Sequence, residues 1–341
     1  MKILVTGAAG FLGRAVVERL LAHGECELRC FVRPSSDLSG LDELRERYPD
    51  AWLEYVIGNL ASPDDAFRAV EGVETIYHLA AGMRGLPASI FADTVVASKC
   101  LCDVVQDYVR RIVLVSSLGV YGTSFLDTNR LVEENTALDP HPEMRNVYFH
   151  AKIWQERLFR ELAERGKVDL VVVRPGVLYG KGTPSQGFPS RVGIGIGNFL
   201  VMLGGTHTLP LTHVINCAEA VVLAGRTPRA SGCSYNVVDD DLPTAREYVK
   251  GYKQRVKKVP TVDLPFPLTM LLAKAVEKYH ASSHGQIPAV LTDYETRAMN
   301  KGHRFDNRKI KTLGWKQIVP TTEAMRETFE YLRASRNGDG R

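Results

Sequence analysis

The sequence predicts an α/β fold, a doubly wound parallel sheet with a smaller C-terminal lobe. Three observations carry this. Short β-branched runs alternate with amphipathic stretches through the first half. The runs are apolar without polar alternation, as strands covered on both faces must be. A glycine-rich turn, "TGAAGFLG" (6–13), joins the first run to the first amphipathic stretch.

Taken in order, "KILVTG" reads as a strand, "GRAVVERLLAHG" as a helix, and "LRCFVRP" and "LEYVIGNL" as strands. "DDAFRAVEGV" is then a helix and "TIYHLAAG" a strand. A long helix is expected over 88–109, a strand at "RIVLVSS", a helix over 147–165 and a strand at "VDLVVVRPG". Beyond Pro175 glycine and proline break up residues 181–212, predicting long loops where a substrate pocket could be assembled. "THVINCAEAVVLAG" and "SYNVVDDDLPTAREYVKGY" restore the strand–helix rhythm. The expected division is a nucleotide-binding part over 1–180, with a later return near 211–240, and a substrate-binding lobe mainly over 181–335.

A chain of 341 residues buries enough surface to need neither disulfides nor a structural metal. Its six cysteines are expected as free thiols, and in "KCLCD" the two sulfurs, at i and i+2, point to different helix faces, so no metal site is expected. A net charge of +4 is too small and dispersed to argue for nucleic acid. "MKILVTG" enters a strand without a basic leader, which implies a cytoplasmic protein. No run approaches the ~18 apolar residues of a membrane span. "LPFPLTMLLAKAVEKY" (264–279) reads as an amphipathic helix packed on the core or closing over the site, in preference to one lying on a membrane.

Strand before and helix after are the context a dinucleotide fingerprint requires. Gly7, Gly10 and Gly13 would allow a tight turn, close approach of a pyrophosphate and close helix–strand packing, with Phe11 and Leu12 opening the helix whose free amides face the phosphates. Further along, "NVYFHAKIW" sets Tyr148 four residues before Lys152, on one helix face. Spacing alone leaves this pair open, either an acid–base couple or two residues on a helix rim.

Spaced G-x-x-G-x-x-G, the turn takes its place in a longer series: "GNL" (58–60), "HLAAG" (78–82), "VSSLGVYG" (115–122), Tyr148 with Lys152, and "RPGVLYG" (174–180). In this order they resemble the extended short-chain dehydrogenase/reductase family, of the NAD-dependent epimerase/dehydratase type with features like those of 3β-hydroxysteroid dehydrogenases. "LTHVINCAEA", "YNVVDDDLPT" and "FDNRKIKTLGW" extend the resemblance over nearly the whole chain. It implies a Rossmann-type sheet, a bound NAD or NADP, and a homodimer formed through the two long helices. By the same resemblance Asn59 and Leu60 hold the adenine, Leu79, Ala80 and Ala81 line the pyrophosphate and ribose path, and Pro175, Gly176 and Val177 run along the nicotinamide. His78 is expected to be a packed strand residue.

Where an acidic side chain would grip the ribose of NAD, this chain has "FVRPSSD". A contact from Arg33 to a 2′-phosphate is worth about 1.5–3 kcal/mol, which favours NADP. An arginine that stacks on adenine in either cofactor is the alternative, and Asp37 stands close by.

The resemblance makes Ser117, Tyr148 and Lys152 the catalytic set. A lysine ammonium ~4–5 Å from the phenol, at an effective dielectric of ~20, would stabilise the phenolate by roughly 3–4 kcal/mol and lower its pKa by about two to three units. Ser117 would orient the substrate oxygen. Nucleotide-sugar 4,6-dehydratases of this family carry Thr-Asp-Glu where this chain has Ser117, Leu118 and Gly119, so dehydration of that kind is not expected. The arginine that pairs with a sugar nucleotide's diphosphate is missing near Leu209; Arg84 and Arg191 are the candidate replacements, with Leu118 also facing substrate. The family's relay asparagine is Thr94. These departures favour a ketone or secondary-alcohol oxidoreductase acting on a small molecule; a nucleotide-sugar epimerase with retained NAD is the alternative.

Overall fold

The computed structural model describes residues 1–338 apart from 167, 184–187, 190, 198, 204 and 283–290. Seven parallel strands form the main sheet: β1 (Ile3–Thr6), β2 (Glu27–Val32), β3 (Trp52–Ile57), β4 (Thr75–His78), β5 (Arg111–Val115), β6 (Asp169–Pro175) and β7 (Ser234–Val237). Their order is β7-β6-β5-β4-β1-β2-β3, with Ile3 in register with both Leu28 and Thr75. Strand order reverses between β1 and β4, and a crevice opens at the carboxyl ends of such a pair.

Successive residues serve opposite faces of the sheet. Val5 joins Val16, Leu20 and Val221 on one side, while Leu4 joins Leu101 and Phe159 on the other. Helices Phe11–Ala22 and Val214–Arg226 pack together over the first face. The second is covered by Ala97–Val104 and Val147–Glu164, and Asn146 caps the latter by accepting from the Phe149 amide at 3.2 Å.

The expected helix over 88–109 is broken and shorter. It runs as Pro87–Phe91, a π-helical turn Ala92–Val96, and Ala97–Val104. Its end is local: the Gln106 side chain donates to the Val104 carbonyl at 2.8 Å, and Val105 is already extended.

Past β6, strands Gly193–Ile196, Phe199–Leu203 and Thr261–Leu264 form a small separate sheet. Helix Phe266–Ser282 follows at once. Of the two expectations for this segment, packing on the core or closing over the site, core packing holds for one face: Thr269, Met270 and Ala273 are buried, whereas Leu268, Leu271, Leu272 and Tyr279 are exposed. Among the described residues no helix is long and apolar enough to cross a membrane, and no group of three or more His, Cys, Asp or Glu is placed to hold a metal. The six cysteines are free thiols.

Candidate cofactor and catalytic site

The turn after β1 is shaped by contacts that a side chain would destroy. Gly7 has φ +69°, and a Cβ there would lie 3.1 Å from the Ala80 amide nitrogen at the end of β4. At Gly13 a Cβ would fall 2.0 Å from the Gly7 carbonyl oxygen. Helix and strand ends are therefore drawn together around bare backbone. The helix begins at Phe11 after Gly10, with no side-chain cap and no acid in its first turn. Its first amides are left facing the turn, which suits an anionic pyrophosphate. Phe11 is half-buried beside the turn, while the Leu12 side chain goes into the core. The residues present thus fit a dinucleotide.

Beyond the end of β2 Arg33 is exposed, with its Nη1 3.1 Å from Asp93 Oδ2. Asp37 accepts from the Ser39 amide at 3.0 Å, and that bond holds its carboxyl below the usual range. A second cation went unnoticed in the sequence. Arg14 lies so close over Gly40 that a Cβ there would meet its Cδ at 2.6 Å. Asn59 is exposed and accepts from the Ala61 amide, but Leu60 is buried in the core, so only its backbone can face a ligand. Leu79, Ala80 and Ala81 are half-buried at the end of β4. Pro175 is buried, and Gly176 and Val177 are half-buried beyond β6, the Gly176 amide lying within reach of Thr212 Oγ1 and the Val237 carbonyl.

Ser117 follows β5, half-buried, with its Oγ accepting from the Gly119 amide at 3.1 Å. Its neighbour Ser116 donates to Glu156 Oε2 at 2.7 Å and is thereby committed to structure. Glu156 is buried between the guanidinium groups of Arg174 and Arg160; burial raises its carboxyl, and the arginines outweigh that and lower it. Tyr148 and Lys152 lie on the first turns of Val147–Glu164, as their spacing requires. Beside Tyr148, the ring of Phe149 fills the space next to Gly119, where a Cβ would be 2.0 Å from Phe149 Cε1. Serine loop and tyrosine turn therefore touch.

The expected lowering of the Tyr148 pKa is not what the structure gives. Burial pushes the phenol up to about 12, and among the described residues its hydroxyl has no hydrogen-bond partner. The lysine is engaged elsewhere: Lys152 Nζ donates to the Val115 carbonyl and to Gln155 Oε1, both at 2.8 Å. Burial lowers its own pKa to about 7 against the opposing pull of Glu156.

Gln155 is the residue sequence reasoning missed, although it sits at i+3 from Lys152. Its Nε2 donates to the Ala80 carbonyl at 3.1 Å and to Ser98 Oγ at 2.9 Å, which fixes its oxygen toward the lysine. His78 belongs to the same network, between Thr6 Oγ1 at 2.8 Å and Ser98 Oγ at 3.1 Å. Thr6 Oγ1 accepts from the Leu79 and Ala80 amides, so its own proton goes to His78 Nδ1 and the imidazole carries hydrogen on Nε2. Burial drives that imidazole down to about 3. Thr94, in the π-helical turn, accepts from the Gly82 amide at 2.9 Å.

Of the substrate candidates, Leu118 is buried against Tyr121, Val132 and Phe305 and has no face for a ligand. Arg84 is exposed beyond β4. Arg191 is held in the C-terminal lobe, donating to the Met299 carbonyl at 3.2 Å with its guanidinium 5.4 Å over Phe305; burial and nearby Arg145 bring its pKa down to about 10.

Residues 3–237 match the model of the NAD dependent epimerase/dehydratase family. The chain belongs to that family. This epimerase/dehydratase family member is 24% identical to N-acetyl-alpha-D-glucosaminyl-diphospho-ditrans,octacis-undecaprenol 4-epimerase of Escherichia coli O157:H7, over 96% of this chain and 94% of the relative. It is 28% identical to cinnamoyl-CoA reductase 2 of Arabidopsis thaliana, over 97% and 92% of the two chains. UDP-glucuronic acid 4-epimerase from Bacillus cereus, solved in complex with NAD, has the same fold, with a TM-score of 0.72, 17% identity, and coverage of 98% of this chain and 99% of that one. The family's enzymes include NAD-dependent epimerases and reductases, and the chain is an enzyme of this extended short-chain dehydrogenase/reductase type.

Proposed function

We propose that the protein is an NADP-dependent oxidoreductase that interconverts a ketone and a secondary alcohol on a small molecule, with Ser117, Tyr148 and Lys152 as its catalytic residues. The observation that carries this reading is the commitment of each polar group around Tyr148. Ser116 is bound to Glu156 and Lys152 to Val115 and Gln155, whereas the Tyr148 hydroxyl has no partner among the described residues. A bound nicotinamide would supply the hydride exchange. Tyr148, protonated at neutral pH, is the acid that donates to a carbonyl oxygen as it becomes a hydroxyl. Ser117 holds that oxygen, and the third ammonium proton of Lys152 is available to the cofactor ribose or the nascent phenolate.

The cofactor preference rests on Arg33 and Arg14 at the adenosine corner and on Asp37 being tied to Ser39. Exclusion of 4,6-dehydration rests on Leu118 and Gly119 where such enzymes carry acids, and it is supported by the Phe149 ring crowding position 119. Under this reading residues 181–335 mainly hold substrate, with Arg84, exposed beyond β4, as a further candidate contact. The homodimer of this reading uses the Ala97–Val104 and Val147–Glu164 helices, and the protein works in the cytoplasm.

Retained NAD with epimerisation of a sugar nucleotide is the second reading, supported by the likeness to the Escherichia coli 4-epimerase along nearly the whole chain. Purified protein separates the two. Stoichiometric consumption of NADPH with a panel of ketones is expected. NAD that survives dialysis, together with interconversion of sugar nucleotides and no net redox change, would sink the oxidoreductase reading.

A further inference from the structure

The segment from Lys250 to Ser282 is unlike the rest of the surface in charge and in polarity. It carries seven cations, Lys250, Lys253, Arg255, Lys257, Lys258, Lys274 and Lys278, against two carboxylates, in a chain whose whole formal charge is only +4. Both carboxylates are occupied: Asp263 pairs with Arg246 at 2.7 Å, and Glu277 accepts from the Asp293 amide at 2.8 Å. The cations are therefore not neutralised by their own segment.

The same segment exposes large apolar side chains. On helix Phe266–Ser282, Leu271 is 64% and Tyr279 61% exposed, with Leu268 and Leu272 beside them. Leu271, Ala275 and Tyr279 follow one another at i+4 intervals, so they form one row along the helix. Lys274 and Lys278, each one residue before a member of that row, are exposed together along one flank of it. On the strand leading into the helix Val262 is 51% exposed, and it pairs in register with Val201, which pairs in turn with Ile194.

We infer that this helix and strand dock the protein, without spanning, on an anionic lipid bilayer. The leucine row would enter the boundary of the acyl chains, Tyr279 would sit at headgroup depth, and the lysine stems would reach back to lipid phosphates. Charge decides against a second copy of the chain as occupant. An isologous pairing of this face would bring together two copies of a segment with seven cations and two carboxylates, with no acidic surface to answer either. The inference is independent of the reaction the enzyme performs.

Co-sedimentation of the full chain with two vesicle types tests it. Binding is expected to vesicles of phosphatidylcholine mixed with phosphatidylglycerol and to fall as salt is raised, with little binding to phosphatidylcholine alone. Lys274→Ala combined with Lys278→Ala should weaken partitioning by about 30-fold, and Leu271→Ser by about tenfold. These side chains are exposed, so melting temperature and cofactor binding should stay as in the parent. Equal binding to both vesicle types, no binding, or binding indifferent to all three substitutions would overturn the inference. So would a dimer in sedimentation velocity that Leu271→Ser dissociates while vesicle binding is unchanged, since the face would then join two copies.

Discussion

The glycine corner beneath β1 and the helix Phe266–Ser282 are both built from small and apolar residues, yet they spend them in opposite ways. At the corner, Gly7 supplies a φ of +69° close against Ala80, and Gly13 lets the helix approach the Gly7 carbonyl at a distance no Cβ would tolerate. The helix has apolar groups on two faces: one buries Thr269, Met270 and Ala273, and the other leaves Leu271 and Tyr279 exposed. Substitution at the first region should therefore be read in cofactor binding and turnover. At the second it should be read in what the surface adheres to.

The largest effect expected from the cofactor side is that of Tyr148→Phe, which should reduce turnover by at least ~10²-fold while cofactor affinity, followed by fluorescence titration, stays near that of the parent. Turnover within a few-fold of the parent would remove Tyr148 from the chemistry. Arg33→Asp comes next: NADPH affinity should fall about ten- to a hundredfold and NADH affinity far less. An unchanged ratio of the two dissociation constants would end the NADP assignment.

A smaller and more discriminating effect is expected at Gln155. In the proposed reaction Lys152 works in its charged form, which burial makes it lose as pH rises through about 7 in the free protein. Removing the Gln155 acceptor disfavours the ammonium, so Gln155→Leu should move the alkaline limb of kcat/KM to lower pH, whereas Gln155→Glu should move it to higher pH. A limb that stays fixed in both variants belongs to another group. Leu271→Ser, by contrast, should leave kcat/KM for a water-soluble ketone unchanged.

Acid stability compares the two halves through their histidines. Burial lowers the pKa of His78 on β4 to about 3, and those of His213 and His303 to about 4. An unfolded chain takes up these protons near pH 6.5, so stability present above that pH is lost progressively as pH falls toward 4. Melting temperatures measured across this window should decline. His303→Asn should flatten the decline, and an unaltered slope would exclude His303 as a contributor.

Much of the sheet was legible because a strand covered on both faces must be apolar throughout, and "RIVLVSS" or "VDLVVVRPG" can hardly be anything else. The turn at Gly7 was legible because its glycines answer a steric demand that recurs wherever strand, turn and helix meet this closely. Gln155 was not, since a glutamine three residues past a lysine is unremarkable until Ala80 and Ser98 fix its amide. Arg14 escaped for a similar reason: only the fold brings it over Gly40. The early end of the expected helix over 88–109 is marked by a local contact, the Gln106 side chain donating to the Val104 carbonyl, and the pattern gives no sign of the π-helical turn Ala92–Val96. For the Phe266–Ser282 helix the pattern itself was ambiguous, because core packing and a lipid interface demand the same amphipathic period.

The contact between Gly119 and Phe149 sets a limit on how this enzyme can change. A carboxyl at position 119, the acid a 4,6-dehydratase of this family would carry there, meets the phenyl ring before it meets any substrate. A side chain there must displace the ring, and the triplet also demands an acid at Leu118, inside the cluster of Tyr121, Val132 and Phe305, so either change alone brings a cost without the new chemistry. Mutational drift can retune the pocket around Tyr148 one step at a time, but elimination of water lies across a valley.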